Sequence, residues 1–174
     1  KLAVSPLTTH IDLKDVPKKI KKTLIEKKIR TINSFYKKIL KKKPYIGVLG
    51  LNPHNAELRK KSEERKTILP SIFYLKKKGY KINGPLVADS LFMNGYSKYD
   101  VILGMYHDQI LTPFKTIFRF DAINITLGLK YLRLSPDHGT AKSIIGKNKA
   151  NPLSLLKCIN FLKNIKKWNL QRNL

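Results

Sequence analysis

Four histidines carry the densest chemistry in this sequence, and each stands just after a short, strand-like stretch. His10 follows Pro6-Leu7-Thr8-Thr9, His54 follows Gly50-Leu51-Asn52-Pro53, His107 follows Gly104-Met105-Tyr106, and His138 follows Ser135-Pro136-Asp137. Imidazole is a preferred ligand of zinc and similar divalent cations. Three neutral imidazoles on one ion leave a coordination position open, where a hydroxyl can bind and become more acidic. In open α/β sheets ligands bind beyond the carboxyl ends of strands, so histidines in these places can converge on one cleft. Spacing alone favours four unrelated polar loop residues, because no short His-x-x-His signature is present.

The elements that must carry these residues alternate between strand and helix patterns. Residues 1–8 read as a strand. Leu24, Ile25, Ile29, Ile32, Phe35, Tyr36, Ile39 and Leu40 recur at helical spacing and predict a helix over 15–42, closed by Pro44. Residues 45–50 have the length and composition of a buried strand, and 51–54 those of a turn. Ser62 with Glu63 and Glu64 predicts a capped helix start with an acidic first turn. Pro70 predicts a kink or break in that helix, and Gly79 its end. Asn83-Gly84-Pro85 reads as a loop, 100–104 as a buried strand, and 123–127 and 131–134 as two more strands. Asn151-Pro152 opens a last helix with Leu153, Leu156, Ile159, Leu162 and Ile165 on one face. The alternation is that of an α/β fold. No Gly-x-Gly-x-x-Gly occurs, so a Rossmann dinucleotide site has no support.

Composition narrows the class. The chain has 174 residues, 42% hydrophobic and 27% charged, which suits one folded domain with a real core. No apolar run approaches the roughly 18 residues of a membrane span, and residues 1–9 lack the apolar core and cleavage site of a signal peptide. The chain starts at Lys1 in a strand-like stretch with no polar lead-in, as a fragment would. The single cysteine, Cys158, excludes a disulfide framework and a cysteine-type zinc site; it reads as a core thiol in a reducing compartment. The net charge of +25 invites a nucleic-acid reading. Against it, 30 of the 36 basic residues are Lys, spread over helix faces, and aromatic residues do not alternate with them as a stacking platform. Neither nucleic acid nor membrane is an expected partner.

Six motifs follow one another in order: Thr9-His10 with Leu13-Lys14-Asp15-Val16-Pro17; Gly50-Leu51-Asn52-Pro53-His54; Asn83-Gly84-Pro85-Leu86 with Ala88-Asp89; Met105-Tyr106-His107-Asp108-Gln109; Asn124-Ile125-Thr126-Leu127-Gly128-Leu129; and Asp137-His138-Gly139-Thr140-Ala141. Together they resemble the 4-hydroxythreonine-4-phosphate dehydrogenase family of pyridoxal phosphate biosynthesis. The resemblance covers essentially the whole chain and matches roughly the C-terminal half of the family. It implies a three-layer α/β/α fold like that of isocitrate and isopropylmalate dehydrogenases, with an NAD site that is not of Rossmann type. Residues 1–174 would be the C-terminal portion of a two-domain dehydrogenase, a partial fold.

The resemblance further implies a cytoplasmic homodimer with a divalent metal (zinc, magnesium or cobalt) at its interface, on His10, His54 and His107. It places substrate contacts on Lys115, Asn124 and Arg133, types suited to a phosphate ester. It places NAD on His138, Gly139, Thr140, Ala141 and Asn151, where Gly139 lets backbone approach the nucleotide. Asp89 and Asp108 stand beside the motifs and are candidates for orienting a ligand imidazole or relaying a proton. The implied reaction oxidises 4-phosphooxy-L-threonine with NAD and releases carbon dioxide to give 3-amino-2-oxopropyl phosphate. Two stretches depart from the family: 55–61 is bulky and charged where the family is small and glycine-rich, and Ile110 stands where it has Gly. Ile adopts positive φ poorly, so the loops beside His54 and His107 need not keep the family's shape. The rival readings are a non-catalytic truncated remnant and a related dehydrogenase of a phosphorylated sugar acid.

Overall fold

The computed structural model describes residues 2–170, in two units divided between Phe114 and Lys115. Lys1, part of the first expected strand, lies outside the described residues.

The first unit is built on a parallel sheet. Strands β1 (Ala3–Pro6), β2 (Ile46–Leu49), β3 (Ile82–Leu86) and β4 (Val101–Gly104) lie in the order β1-β4-β2-β3, every pair parallel. Parallel strands covered on both faces read as unbroken apolar runs. That is why Ile46–Leu49 and Val101–Gly104 are central and buried at every residue.

Five helices accompany this sheet: α1 (Val16–Lys19), α2 (Lys22–Lys38), α3 (Leu69–Lys77), α4 (Ala88–Asn94) and α5 (His107–Phe118). Helix α2 buries Ile25, Ile29, Ile32 and Tyr36 along one stripe. The single helix expected over 15–42 is interrupted, because Ile20 and Lys21 are extended. A continuous helix would stack Lys18 against Lys21 and Lys22, like charges at helical neighbour positions, and the break separates them. The Ser62 cap forms, its Oγ accepting the Arg65 N–H at 3.2 Å. The kink expected at Pro70 takes the form of a widened π turn, Glu64–Ile68, just ahead of α3.

The loop expected at Asn83-Gly84-Pro85 is instead part of β3. That strand is at the sheet edge, where the missing N–H of proline costs no ladder bond. Gly84 has φ +145, and a Cβ there would stand 2.4 Å from the Val48 carbonyl oxygen, so only glycine allows this close approach.

The second unit is a hairpin on a helix. Strands β5 (Ile123–Thr126) and β6 (Arg133–Pro136) pair antiparallel, and α6 (Leu153–Leu170) packs against both. The strand expected over 131–134 starts two residues later. The face of α6 turned inward also differs from expectation. Ser154 and Cys158 are buried, whereas Leu153, Leu156, Ile159 and Leu162 are exposed and Ile165 is half-buried. The reason is polar: the Ser154 hydroxyl bonds the backbone of the hairpin, which fixes the helix rotation against its apolar pattern. Among the described residues no helix is long and apolar enough to cross a membrane.

Candidate functional site

The carboxyl ends of β1, β2 and β4 are tied together by a small set of hydrogen bonds. The Thr8 hydroxyl donates to the Met105 carbonyl at 2.8 Å. The Gln109 side chain accepts the Met105 N–H at 2.7 Å and donates to the Gly50 carbonyl at 2.7 Å. One amide thus braces the β4 end, which leads into His107, against the β2 end, which leads into His54. Glu64 completes the set: its Oε1 accepts the Leu51 N–H at 2.8 Å and the Asn52 N–H at 2.7 Å, and its carboxylate also takes the Asn52 amide. Glu64 is fully buried. Burial pushes its carboxyl up, but the bonds from Asn52 and Leu51 outweigh that and hold it below the usual glutamate value. Neither Gln109 nor Glu64 was singled out by the sequence. The signals present were the Gln at the end of the Tyr-His-Asp-Gln motif and an acidic pair a dozen residues after a strand.

His10 and His107 stand together at these strand ends, their ring centroids 5.7 Å apart and their planes tilted by 44°. Two imidazoles on one zinc ion, each with a Zn–N distance of about 2.0–2.1 Å, place their ring centres roughly 5–6 Å apart, and the pair stands at that spacing. His107 opens α5, and its Nδ1 lies 2.6 Å from Asp108 Oδ1. Donating Nδ1–H to that carboxylate leaves Nε2 as the lone-pair nitrogen, the arrangement a metal ligand needs. Asp89 behaves differently: its carboxylate accepts the Ser90 N–H in the first turn of α4.

His54 is exposed. Among the described residues, no group of three or more His, Cys, Asp or Glu could hold a metal. His54 begins a run of five residues, His54 to Leu58, all with φ between 48 and 56. The bulky segment noted in the sequence therefore adopts the left-handed conformation that glycine prefers. Ile110, in contrast, needs no such conformation: it lies within α5, fully buried, and packs where a Cβ on Gly104 would stand, 2.7 Å from its own Cβ.

In the second unit the hairpin register gathers the expected substrate residues. Asn124 pairs with Ser135 and Thr126 with Arg133. Alternation along strands puts these four side chains on one face, where Asn124 and Arg133 are exposed while Ile123, Ile125 and Leu134 are half-buried. The Arg133 guanidinium donates to Thr126 Oγ1 at 3.1 Å. Lys115 donates to Asp137 Oδ2 at 2.9 Å and to the Asp137 carbonyl at 3.1 Å. The expected nucleotide loop, His138 to Ala141, is exposed. Among the described residues, its two chain neighbours aside, nothing lies within 4 Å of where a Gly139 Cβ would be. Asn151 has a structural task, its Oδ1 accepting the Leu153 N–H at the start of α6.

The parallel sheet with helices about it makes this an α/β protein, a class in which ligands bind beyond the carboxyl ends of the strands. Within that class the family model described as pyridoxal phosphate biosynthetic protein PdxA matches residues 1–162, and the chain belongs to that family. It is 48% identical over 166 residues to the 4-hydroxythreonine-4-phosphate dehydrogenase of Aquifex aeolicus, covering 95% of this chain and 52% of that protein. It is 45% identical over 172 residues to that of a Sulfurihydrogenibium species, covering 96% of this chain and 53% of the relative. The crystal structure of 4-hydroxythreonine-4-phosphate dehydrogenase from Klebsiella pneumoniae is similar with a TM-score of 0.79 at 34% identity, over 93% of this chain and 50% of that one. The chain spans about half the length of the curated relatives it matches.

Proposed function

We propose that the intact protein oxidises 4-phosphooxy-L-threonine with NAD and releases carbon dioxide, giving 3-amino-2-oxopropyl phosphate for pyridoxal phosphate synthesis in the cytoplasm. The observation that carries this reading is the His10–His107 pair at the strand ends of a chain that belongs to the PdxA family. A divalent metal (zinc, magnesium or cobalt) would supply polarisation of the reacting oxygen, and NAD would accept the hydride. His10 and His107 hold that metal with one chain, and His54 of a second copy completes the set in a homodimer. Asp108 orients His107. Asp89, in the first turn of α4, takes at most a relay role. Lys115, Asn124 and Arg133 bind the phosphate ester, as an ammonium, an amide and a guanidinium are suited to do. His138, Gly139, Thr140 and Ala141 receive the nucleotide, with Asn151 bracing the loop. The absence of a Gly-x-Gly-x-x-Gly fingerprint supports an isocitrate dehydrogenase-like site over a Rossmann one.

The test is NADH formation by the purified protein with 4-phosphooxy-L-threonine and each metal in turn. Activity that requires the metal and is lost in His10→Ala and His107→Ala is expected. No NADH under any of these conditions overturns the proposal.

A further inference from the structure

Lys115 is held in an unusual way for a surface lysine in so basic a chain. Its ammonium has three N–H groups, and two of them are engaged by one residue, through the carboxylate and the carbonyl of Asp137. Asp137 is itself fixed. Its N–H is accepted at 2.9 Å by the hydroxyl of Ser154, a residue 1% exposed on α6. The same hydroxyl donates to the Ala122 carbonyl. Ser154 therefore pins both ends of the hairpin's open side, just before β5 and just after β6. Asp137 also continues the alternation of Arg133 and Ser135 one step past the strand, so the captured ammonium is directed to the face that carries Arg133 and Asn124.

We propose that Asp137 is a positioning residue for Lys115, orienting its ammonium so that the remaining N–H points to the phosphate ester, with Ser154 as the anchor of Asp137. The inference rests on the substrate role given to Lys115 above. Its rival is that Asp137 merely neutralises Lys115 and competes with the anion. The two differ in sign, because removing a competitor tightens anion binding and removing a positioning group weakens it.

The experiment is a double-mutant cycle in the intact protein, reading the affinity for 4-phosphooxy-L-threonine by calorimetry at fixed ionic strength. Lys115→Met should weaken binding about 10- to 100-fold, as loss of a charge-assisted bond does. Asp137→Asn should weaken it by about 10-fold when Lys115 is present and leave it unchanged when Lys115 is Met. An equal loss in both backgrounds, or tighter binding by Asp137→Asn, overturns the proposal. The grip is read separately, by NMR of the Lys115 ammonium. Its signal should be sharp in the parent protein and broadened by fast exchange in Asp137→Asn; the same signal in both also overturns the proposal. Binding unaffected by Lys115→Met removes Lys115 from the substrate site, a failure of the functional reading that leaves the NMR result to judge the grip.

Discussion

At the scale of single residues, Glu64 holds the turn that leads into His54. Its carboxylate is the acceptor for two successive backbone N–H groups just ahead of His54. Burial raises its pKa, but the bonds from Asn52 and Leu51 lower it further, leaving the folded value below the ordinary 4.5. A depressed folded value means that the stabilisation is complete above the unfolded pKa and is lost as pH falls through the folded one. Glu64→Gln should therefore cost about 1.5–3 kcal/mol at neutral pH, the range for bonds to a charged group. In urea unfolding repeated down a pH series, the gap between parent and variant should close below pH 4.5. A gap of constant size would show that the charge is not the source. Ser154→Ala should cost about 1–3 kcal/mol by leaving the buried Ala122 carbonyl and the half-buried Asp137 N–H unpaired, measured by the same unfolding. The positions of His10, His54 and His107 after strands were legible in the sequence, while the roles given to them and to Lys115 and Arg133 come from the order of the motifs. Glu64 was read only as a helix first-turn acid, because its partners lie 12 and 13 residues away and reach it only when the chain folds back.

At the scale of elements, the left-handed turn after β2 is where sequence and backbone conflict. Each non-glycine residue in this conformation costs about 1–2 kcal/mol, and His54, Asn55, Ala56, Glu57 and Leu58 adopt it in succession. The packing that imposes it is visible. Asn55 donates to the Pro85 carbonyl at 3.1 Å, and a Cβ on Gly50 would collide with Asn55 Oδ1 at 2.1 Å. Glu57 is exposed, so Glu57→Gly should raise stability by about 1 kcal/mol, seen as an increase in the thermal midpoint. A decrease would mean that the turn is not strained at this position. Central strands β2 and β4 were plain in the sequence as apolar runs, since nothing else satisfies a strand buried on both faces. Strand β3 and the inward face of α6 were not. Gly84-Pro85 reads locally as a turn, and only the sheet edge makes it a strand. The α6 stripe reads locally as a core face, and only the Ser154 hydroxyl turns it outward.

At the scale of the whole molecule, the proposed metal site draws on two chains. One copy brings His10 and His107 together, and among its described residues no third ligand joins them. Two copies, each with a net charge of +25, repel one another, and salt screens that repulsion within a Debye length of about 8 Å at physiological strength. The proposed homodimer should therefore strengthen as ionic strength rises from low salt, which light scattering across a salt series measures; dissociation by salt would count against it. Sharing of ligands gives a sharper prediction. His10→Ala and His54→Ala each destroy every site when expressed alone, because each removes one of the three ligands. Co-expressed, they form mixed dimers in which one site draws His10 and His107 from the His54→Ala chain and His54 from the His10→Ala chain. That site is intact, and the other lacks two ligands. Metal analysis of the isolated mixed dimer should find about one ion per dimer, against none in either parent variant and two in the unsubstituted protein, since a three-ligand site that loses one imidazole binds weakly. A mixed dimer as empty as its parents would place all three histidines in a single chain.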